Sequence, residues 1–93
     1  MEIKSQSKIE LFEAILALKD IKQCEAFFDD LLTKKELDAM TQRLHAAKLL
    51  LAGKTYDQII KDTQISSTTL SRISTCIRYG NGGYKSVLEQ KDK

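Results

Sequence analysis

Ser66, Ser67, Thr68, Ser71 and Arg72 set four short hydroxyl side chains and one guanidinium within seven consecutive positions. Short hydroxyls can come close to base edges and hydrogen-bond them, and an arginine can hold phosphate or guanine. At the start of a helix such a set suits the major groove of duplex DNA. The surroundings favour an anion: from Thr63 to Leu88 no carboxylate occurs, while Arg72, Arg78 and Lys85 do. An approaching phosphate therefore meets no local repulsion there. The net charge of +2 says little by itself, but divided after Met40 it is −3 over residues 1–40 and +5 over residues 41–93.

The other chemistry-bearing residues are scattered. His45 is the single histidine, and Cys24 and Cys76 lie far apart, so no spacing builds a tetrahedral metal site. No nucleophile or partner acid stands beside His45, and no enzyme activity, metal or cofactor is expected. The two cysteines read as buried small apolar residues and not as a disulfide. Asp29, Asp30, Glu36 and Asp38 flank helix ends, where solvated faces and capping account for them better than paired-carboxylate chemistry. Gly80-Asn81-Gly82-Gly83 lacks the Lys-Ser/Thr of a phosphate loop and reads as a turn. Tyr79 and Tyr84 beside it read as packing under a loop, with base stacking as the lesser alternative.

The elements that must position these residues are helices. There is no proline, and Leu, Ile, Ala, Lys, Glu and Gln abound, residues that lose little rotamer freedom in a helix. Ninety-three residues, 42% hydrophobic and 30% charged, give one ordered domain spanning 1–93 and exclude a multi-domain enzyme. No apolar run approaches the roughly 18 residues of a membrane span, and MEIKSQSKIE is too charged for the core of a secretory signal. The expected location is cytoplasmic, without a membrane partner. Ile, Leu, Val and Phe make up 25 residues, a surplus that a dimer would use.

Ser7-Lys8-Ile9-Glu10 is a capping box, predicting a helix from there to about Leu18 with Ile9, Phe12, Ile15 and Leu16 on one buried face. Asp20 caps a second helix, striped by Cys24, Phe27, Phe28, Leu31 and Leu32. Thr33-Lys34-Lys35-Glu36 opens the longest helix, whose face Leu37, Met40, Leu44, Ala47 and Leu51 runs to a left-handed stop at Gly53. Thr55-Tyr56-Asp57-Gln58 opens a short helix with Ile59 and Ile60 inward, ending near Thr63. After a four-residue turn, a helix capped by Ser66 or Ser67 places Leu70, Ile73 and Ile77 at helical spacing up to Gly80. A last short helix spans 84–90, and Lys91, Asp92 and Lys93 fray.

Residues 55–78 thus read as a helix-turn-helix. Ile60 and Gln64 depart from the small residue and the glycine common at those places in the motif. An ordinary helical hairpin, its Ser and Thr serving as caps and solvated faces, is the alternative.

The strings LLTKKELDAMTQRL and LLLAGKTYDQIIKDTQISSTTLSR resemble the signature of the Trp repressor family, roughly from Leu31 to Arg72. RYGNGGYKSVL resembles the ending of its YerC/YecD-type branch. Trp repressors are themselves a reference case for helix-turn-helix docking, with half-sites ~34 Å apart. The resemblance implies an all-α, Trp repressor-like helical bundle forming an intertwined homodimer on a two-fold operator in duplex DNA, as a transcriptional regulator and repressor. It matches Lys61 to a basic DNA contact in the motif's first helix. It matches Ser66, Ser67, Thr68, Thr69 and Ser71 to the turn and the base-facing start of the second. Lys54 and Thr55, at the mouth of the motif, are candidate phosphate contacts, with a solvated charge and a helix cap as the alternatives.

For the ligand site of the tryptophan-binding branch the resemblance implies Thr33, Arg43 and Arg72. Where that branch has a glycine that leaves room for indole and a ligand-binding serine, this chain has Ile73 and Cys76. A branched side chain fills the slot and a thiol hydrogen-bonds weakly, so tryptophan is not the expected corepressor. Arg43 and Arg72 are left to contact phosphate, pair with carboxylates across a dimer, or hold a different small anion. A protein-interaction module of the same fold, without specific DNA readout, is the alternative from another functional class.

Overall fold

The computed structural model describes residues 5–89. Among them are six helices and no strand: α1 (Ser5–Leu16), α2 (Ile21–Leu31), α3 (Lys34–Leu51), α4 (Tyr56–Thr63), α5 (Ser67–Tyr79) and α6 (Gly83–Leu88). The last helix ends at Leu88, with Glu89 as its C-cap, two residues short of the expected Gln90, and the expected fraying of Lys91, Asp92 and Lys93 lies outside the described residues. None of the helices is long and apolar enough to cross a membrane. The chain divides into two units, Met1–Leu37 and Asp38–Lys93.

In the first unit, α1 is already helical at Ser5, so Ser7 lies inside the helix and not at its cap. The helix stops at Leu16, short of the expected Leu18. Its last turn tightens, as the Ala17 N–H donates to both Glu13 and Ala14 carbonyls and the Leu18 N–H to Ile15. The face expected to be buried is largely open: Ile9, Phe12 and Leu16 are 47%, 57% and 84% exposed, Ile15 is half-buried, and neither α1 nor α2 holds a buried residue. Asp20 does cap α2, its carboxylate accepting from the Gln23 N–H at 2.8 Å. Phe27 and Phe28 meet edge to face, centroids 5.4 Å apart. The Thr33 box is formed both ways: the Glu36 N–H donates to Thr33 Oγ1 and the Thr33 N–H to Glu36 Oε1.

The second unit carries the core, made by Ala46, Ala47, Ile59, Ile65, Leu70 and Ile73. The inward face of α3 is Ala46–Ala47, with Leu49 and Leu50 beside it. Of the expected row only Ala47 is buried, and Met40 and Leu44 stay exposed. Two adjacent alanines let neighbouring backbones come close, which larger side chains would prevent. α3 ends as expected at Gly53, φ +89°, where the Gly53 N–H donates to Leu50 and the Lys54 N–H to Leu49. Cys76 is exposed and Cys24 half-buried, correcting the expectation that both are buried. α6 begins at Gly83, one residue earlier than expected.

The turn between α4 and α5 comprises residues 64–66, one fewer than expected. Gln64 adopts the left-handed conformation, φ 64° and ψ 16°, the sole non-glycine positive φ among the described residues. A side chain there costs roughly 1–2 kcal/mol of steric strain, which glycine avoids and a β-branched residue worsens. Gln64→Gly is expected to raise the melting temperature, and Gln64→Val to lower stability by about 1–2 kcal/mol. Equal melting of the two variants would contradict this turn geometry.

Candidate nucleic-acid interface

The corner made by α4 and α5 is fixed from inside. Thr55 caps α4 with a complete capping box, its hydroxyl accepting from the Gln58 N–H while the Gln58 side chain accepts from the Thr55 N–H. At the other end the Thr63 hydroxyl donates to the Ile59 carbonyl at 2.7 Å and accepts from the Ile65 N–H at 3.2 Å. The Gln42 side-chain amide of α3 donates to the Thr63 carbonyl at 2.9 Å. With Ile65 only 2% exposed, the turn is pinned by an apolar side chain as well as by hydrogen bonds.

Ser66 then caps α5. Its Oγ accepts from the Thr69 N–H at 3.1 Å and donates to Thr69 Oγ1 at 2.9 Å. Leu70 and Ile73 face the core, so helical geometry turns Ser67, Thr68, Ser71, Arg72 and Thr75 outward, and all five are exposed. Thr68, Ser71, Arg72, Thr75 and Cys76 share one shallow hollow. Thr75, which the sequence reading passed over, donates its hydroxyl proton to the Ser71 carbonyl at 3.0 Å. The signal that could have found it is spacing: it lies one turn beyond Ser71 and two beyond Thr68.

The other predicted contacts are distributed as follows. Lys54 and Lys61 are exposed at the start and near the end of the α4 segment, and Thr55 is occupied as a cap. Thr69 is half-buried, set apart from the exposed row. It lines a cleft of about 280 Å³ together with Arg43, Arg72, Ile73, Cys76 and Tyr84. The structure therefore brings Arg43 and Arg72 to one site, and the residues in the glycine and serine places, Ile73 and Cys76, are walls of that same site. Thr33 belongs to the other unit, where its hydroxyl caps α3. Tyr84 and Thr69 are the walls that sequence reasoning did not place in this cleft. Tyr79 is 79% exposed, with the Arg78 guanidinium 5.7 Å from its ring centre, so it does not pack under the glycine loop. His45 is exposed, and among the described residues no group of three His, Cys, Asp or Glu side chains could hold a metal ion.

The family model for the Trp repressor protein matches residues 6–92. The chain belongs to the Trp repressor family. Among its relatives is the uncharacterised protein YerC of Bacillus subtilis, 39% identical over 89 residues that cover 96% of this chain and 86% of YerC. Two solved structures are close in shape, each with a TM-score of 0.89 and covering 92% of this chain. One is a TrpR-like protein from Eubacterium eligens, 41% identical, with 89% of its chain covered. The other is a candidate Trp repressor from Staphylococcus aureus, 37% identical, with 86% covered. The family membership read from Leu31–Arg72 and from RYGNGGYKSVL is thereby established.

Ser66 and Ser67 are adjacent hydroxyls with different surroundings, and stability separates them. Ser66→Ala is expected to lower unfolding free energy by about 1 kcal/mol through loss of the cap. Ser67→Ala should change it by less than about 0.5 kcal/mol. Urea denaturation of both variants checks the pair, and a Ser66→Ala protein as stable as wild type would contradict the cap.

Proposed function

We propose that the chain is a DNA-binding transcriptional regulator, not an enzyme, acting in the cytoplasm as a homodimeric repressor. In this reading α4 and α5 form a helix-turn-helix and α5 enters the major groove. The observation that carries it is the outward row Ser67, Thr68, Ser71 and Arg72, standing on a corner pinned by Ile59, Ile65 and Leu70. Short hydroxyls let the helix approach base edges closely, and Arg72 supplies the cation. Lys61 and Lys54 serve as phosphate contacts that set register. Thr55 and Ser66, both engaged as caps, present backbone more than side chain to the DNA. Membership of the Trp repressor family supports the same reading.

The dimer is supported by what one protomer leaves uncovered. α1 exposes Ile9, Leu11, Phe12 and Leu16, and a helix of 12 residues with no buried side chain has little to hold it in water. Covering a Leu or Phe contributes about 1.5–3 kcal/mol each, so a second copy seated on residues 1–52 would stabilise these helices. The cleft at Arg43 and Arg72 takes a small anion in this proposal. Tryptophan is not the corepressor, because Ile73, 3% exposed, occupies the cleft wall with a branched side chain.

Selection of binding sites from random duplex DNA, at two salt concentrations and with and without tryptophan, tests the reading. An enriched palindrome, unchanged by tryptophan, is expected. Salt-sensitive binding without enrichment would instead favour a protein-interaction module. Within an enriched site, Ser67→Ala and Thr68→Ala should relax preference at particular base pairs by ~1–3 kcal/mol. Lys61→Ala should weaken all sequences alike and reduce the salt slope by about 1. Phe12→Asp should convert the dimer to monomer in sedimentation and weaken operator binding with it; a Phe12→Asp dimer would overturn the assigned interface.

A further inference from the structure

Asn81 is the single asparagine of the chain, and a glycine follows it. The turn Gly80-Asn81-Gly82-Gly83 reverses the chain between α5 and α6, and the DNA-binding reading makes no use of its asparagine. Such a pair can react with itself, because the backbone nitrogen of the second residue and the side-chain amide carbon of the first can close a five-membered ring. Inside a helix the nitrogen is tied to a carbonyl one turn back and held away from that carbon.

At Asn81 no such restraint exists. The residue lies between α5 and α6 and is exposed. Its side chain makes no hydrogen bond with another described residue, and neither does the Gly82 N–H. Gly82 has no Cβ to screen its nitrogen, and with φ +81° nothing stands within 4 Å of where a Cβ would be, so a ring has room to form. The two ends of the turn, by contrast, are anchored. The Gly80 N–H donates to the Cys76 carbonyl at 2.9 Å, and a Cβ on Gly80 would lie 2.5 Å from that oxygen. The Gly82 carbonyl accepts from the Ser86 N–H at 2.9 Å, while Tyr84 and Leu88 of α6 pack against the core. Asn81 is the one residue between these anchors.

We propose that Asn81-Gly82 is a self-modifying site, which converts to isoaspartate without an enzyme and thereby loosens α6 from the core. The Gly82 nitrogen attacks Asn81 Cγ. The N–Cγ bond forms, the Cγ–Nδ2 bond breaks, and the amide nitrogen leaves as ammonia with the proton that Gly82 gives up. Water then opens the cyclic imide. Cleavage between the Asn81 main-chain carbonyl and the Gly82 nitrogen routes the chain through the former side chain and gives isoaspartate; cleavage at Cγ gives aspartate. Water is the sole co-reactant, and nothing is oxidised or reduced. Isoaspartate adds one carbon to the main chain between the two anchors, and either product brings a carboxylate into the stretch from Thr63 to Leu88, which has none.

The test is incubation of full-length wild type and Asn81→Gln at mildly alkaline pH and physiological temperature. Mass spectrometry then follows the tryptic peptide that ends at Lys85 and begins after Arg78, and a protein-isoaspartate methyltransferase labels isoaspartate. Wild type should show the amide-to-acid mass change in that peptide, within about tenfold of the rate of the free peptide YGNGGYK, as for a segment that reacts without local unfolding. Isoaspartate should be the main product. Asn81→Gln, whose ring would be one atom larger and closes far more slowly, should keep its mass. The purified isoaspartate form should melt below an Asn81→Asp protein, which carries the charge without the extra carbon. Conversion far slower than in the free peptide, or an equal mass change in Asn81→Gln, overturns the site. Aspartate without isoaspartate overturns the imide route. An isoaspartate form that melts together with Asn81→Asp overturns the loosening of α6. No arm involves DNA, so the DNA-binding reading stands or falls separately.

Discussion

The corner rests on the burial of Ile65 within the three-residue turn between α4 and α5. Preceding it, Gln64 takes the left-handed conformation, a strained choice for a residue with a Cβ. The Thr63 hydroxyl then accepts from the Ile65 N–H, while donating to the Ile59 carbonyl inside α4. Once Ile65 is in place beside Ile59 and Leu70, the rotation of α5 about its axis is set. Ser67, Thr68 and Ser71 point outward because Leu70 and Ile73 point inward, so the candidate recognition surface follows from packing. The anchoring of Thr63 by Gln42 ties that corner to α3.

What could be read from the sequence was whatever is decided within one helical turn. Three capping signals, at Asp20, Thr33 and Thr55, form as read because donor and acceptor are three residues apart and need nothing else. The same holds for Ser66 and for the glycine stop at Gly53. Ser7 failed although its box has the right letters, since the chain is already helical at Ser5 and the backbone N–H groups of an ongoing helix need no cap. Faces were harder. Periodicity finds an apolar stripe but not what covers it, so α1 and α2 show stripes that one protomer leaves open. On α3 the expected row is buried only at Ala47, with Leu37 and Leu51 half-buried and Met40 and Leu44 exposed. Arg43 and Arg72 were legible through family resemblance, whereas Tyr84 reaches their cleft by a chain reversal at Gly80 that no local pattern announces.

A net charge of +2 is modest for a chain proposed to bind DNA, but a phosphate responds to the charges within a Debye length, about 8 Å at physiological ionic strength. What matters is the local distribution. The nine acids of residues 1–40 belong mainly to α1, α2 and the start of α3, while the stretch from Thr63 to Leu88 has none. Within the α4 segment, Asp57 stands in the first turn and Lys61 in the last, which suits the helix dipole, while Asp62 beside Lys61 offsets part of that charge.

Arg72 belongs to two surfaces at once. It lines the hollow with Thr68, Ser71 and Thr75 on the outer side of α5, and the cleft with Arg43, Ile73 and Tyr84 beside it. The Arg43 and Arg72 guanidiniums make no hydrogen bond or ion pair with another described residue, and Arg72 is a wall of both recesses. In the proposed function this makes it the physical link between ligand and operator. An anion that holds Arg72 in the cleft takes a cation from the DNA face, while one that fixes it at the rim, with the head group turned outward, strengthens that face. Whichever sign applies, the factor by which the anion changes DNA affinity equals the factor by which DNA changes the anion's affinity. In the proposed function the coupling therefore passes through one side chain, Arg72, shared by the two recesses.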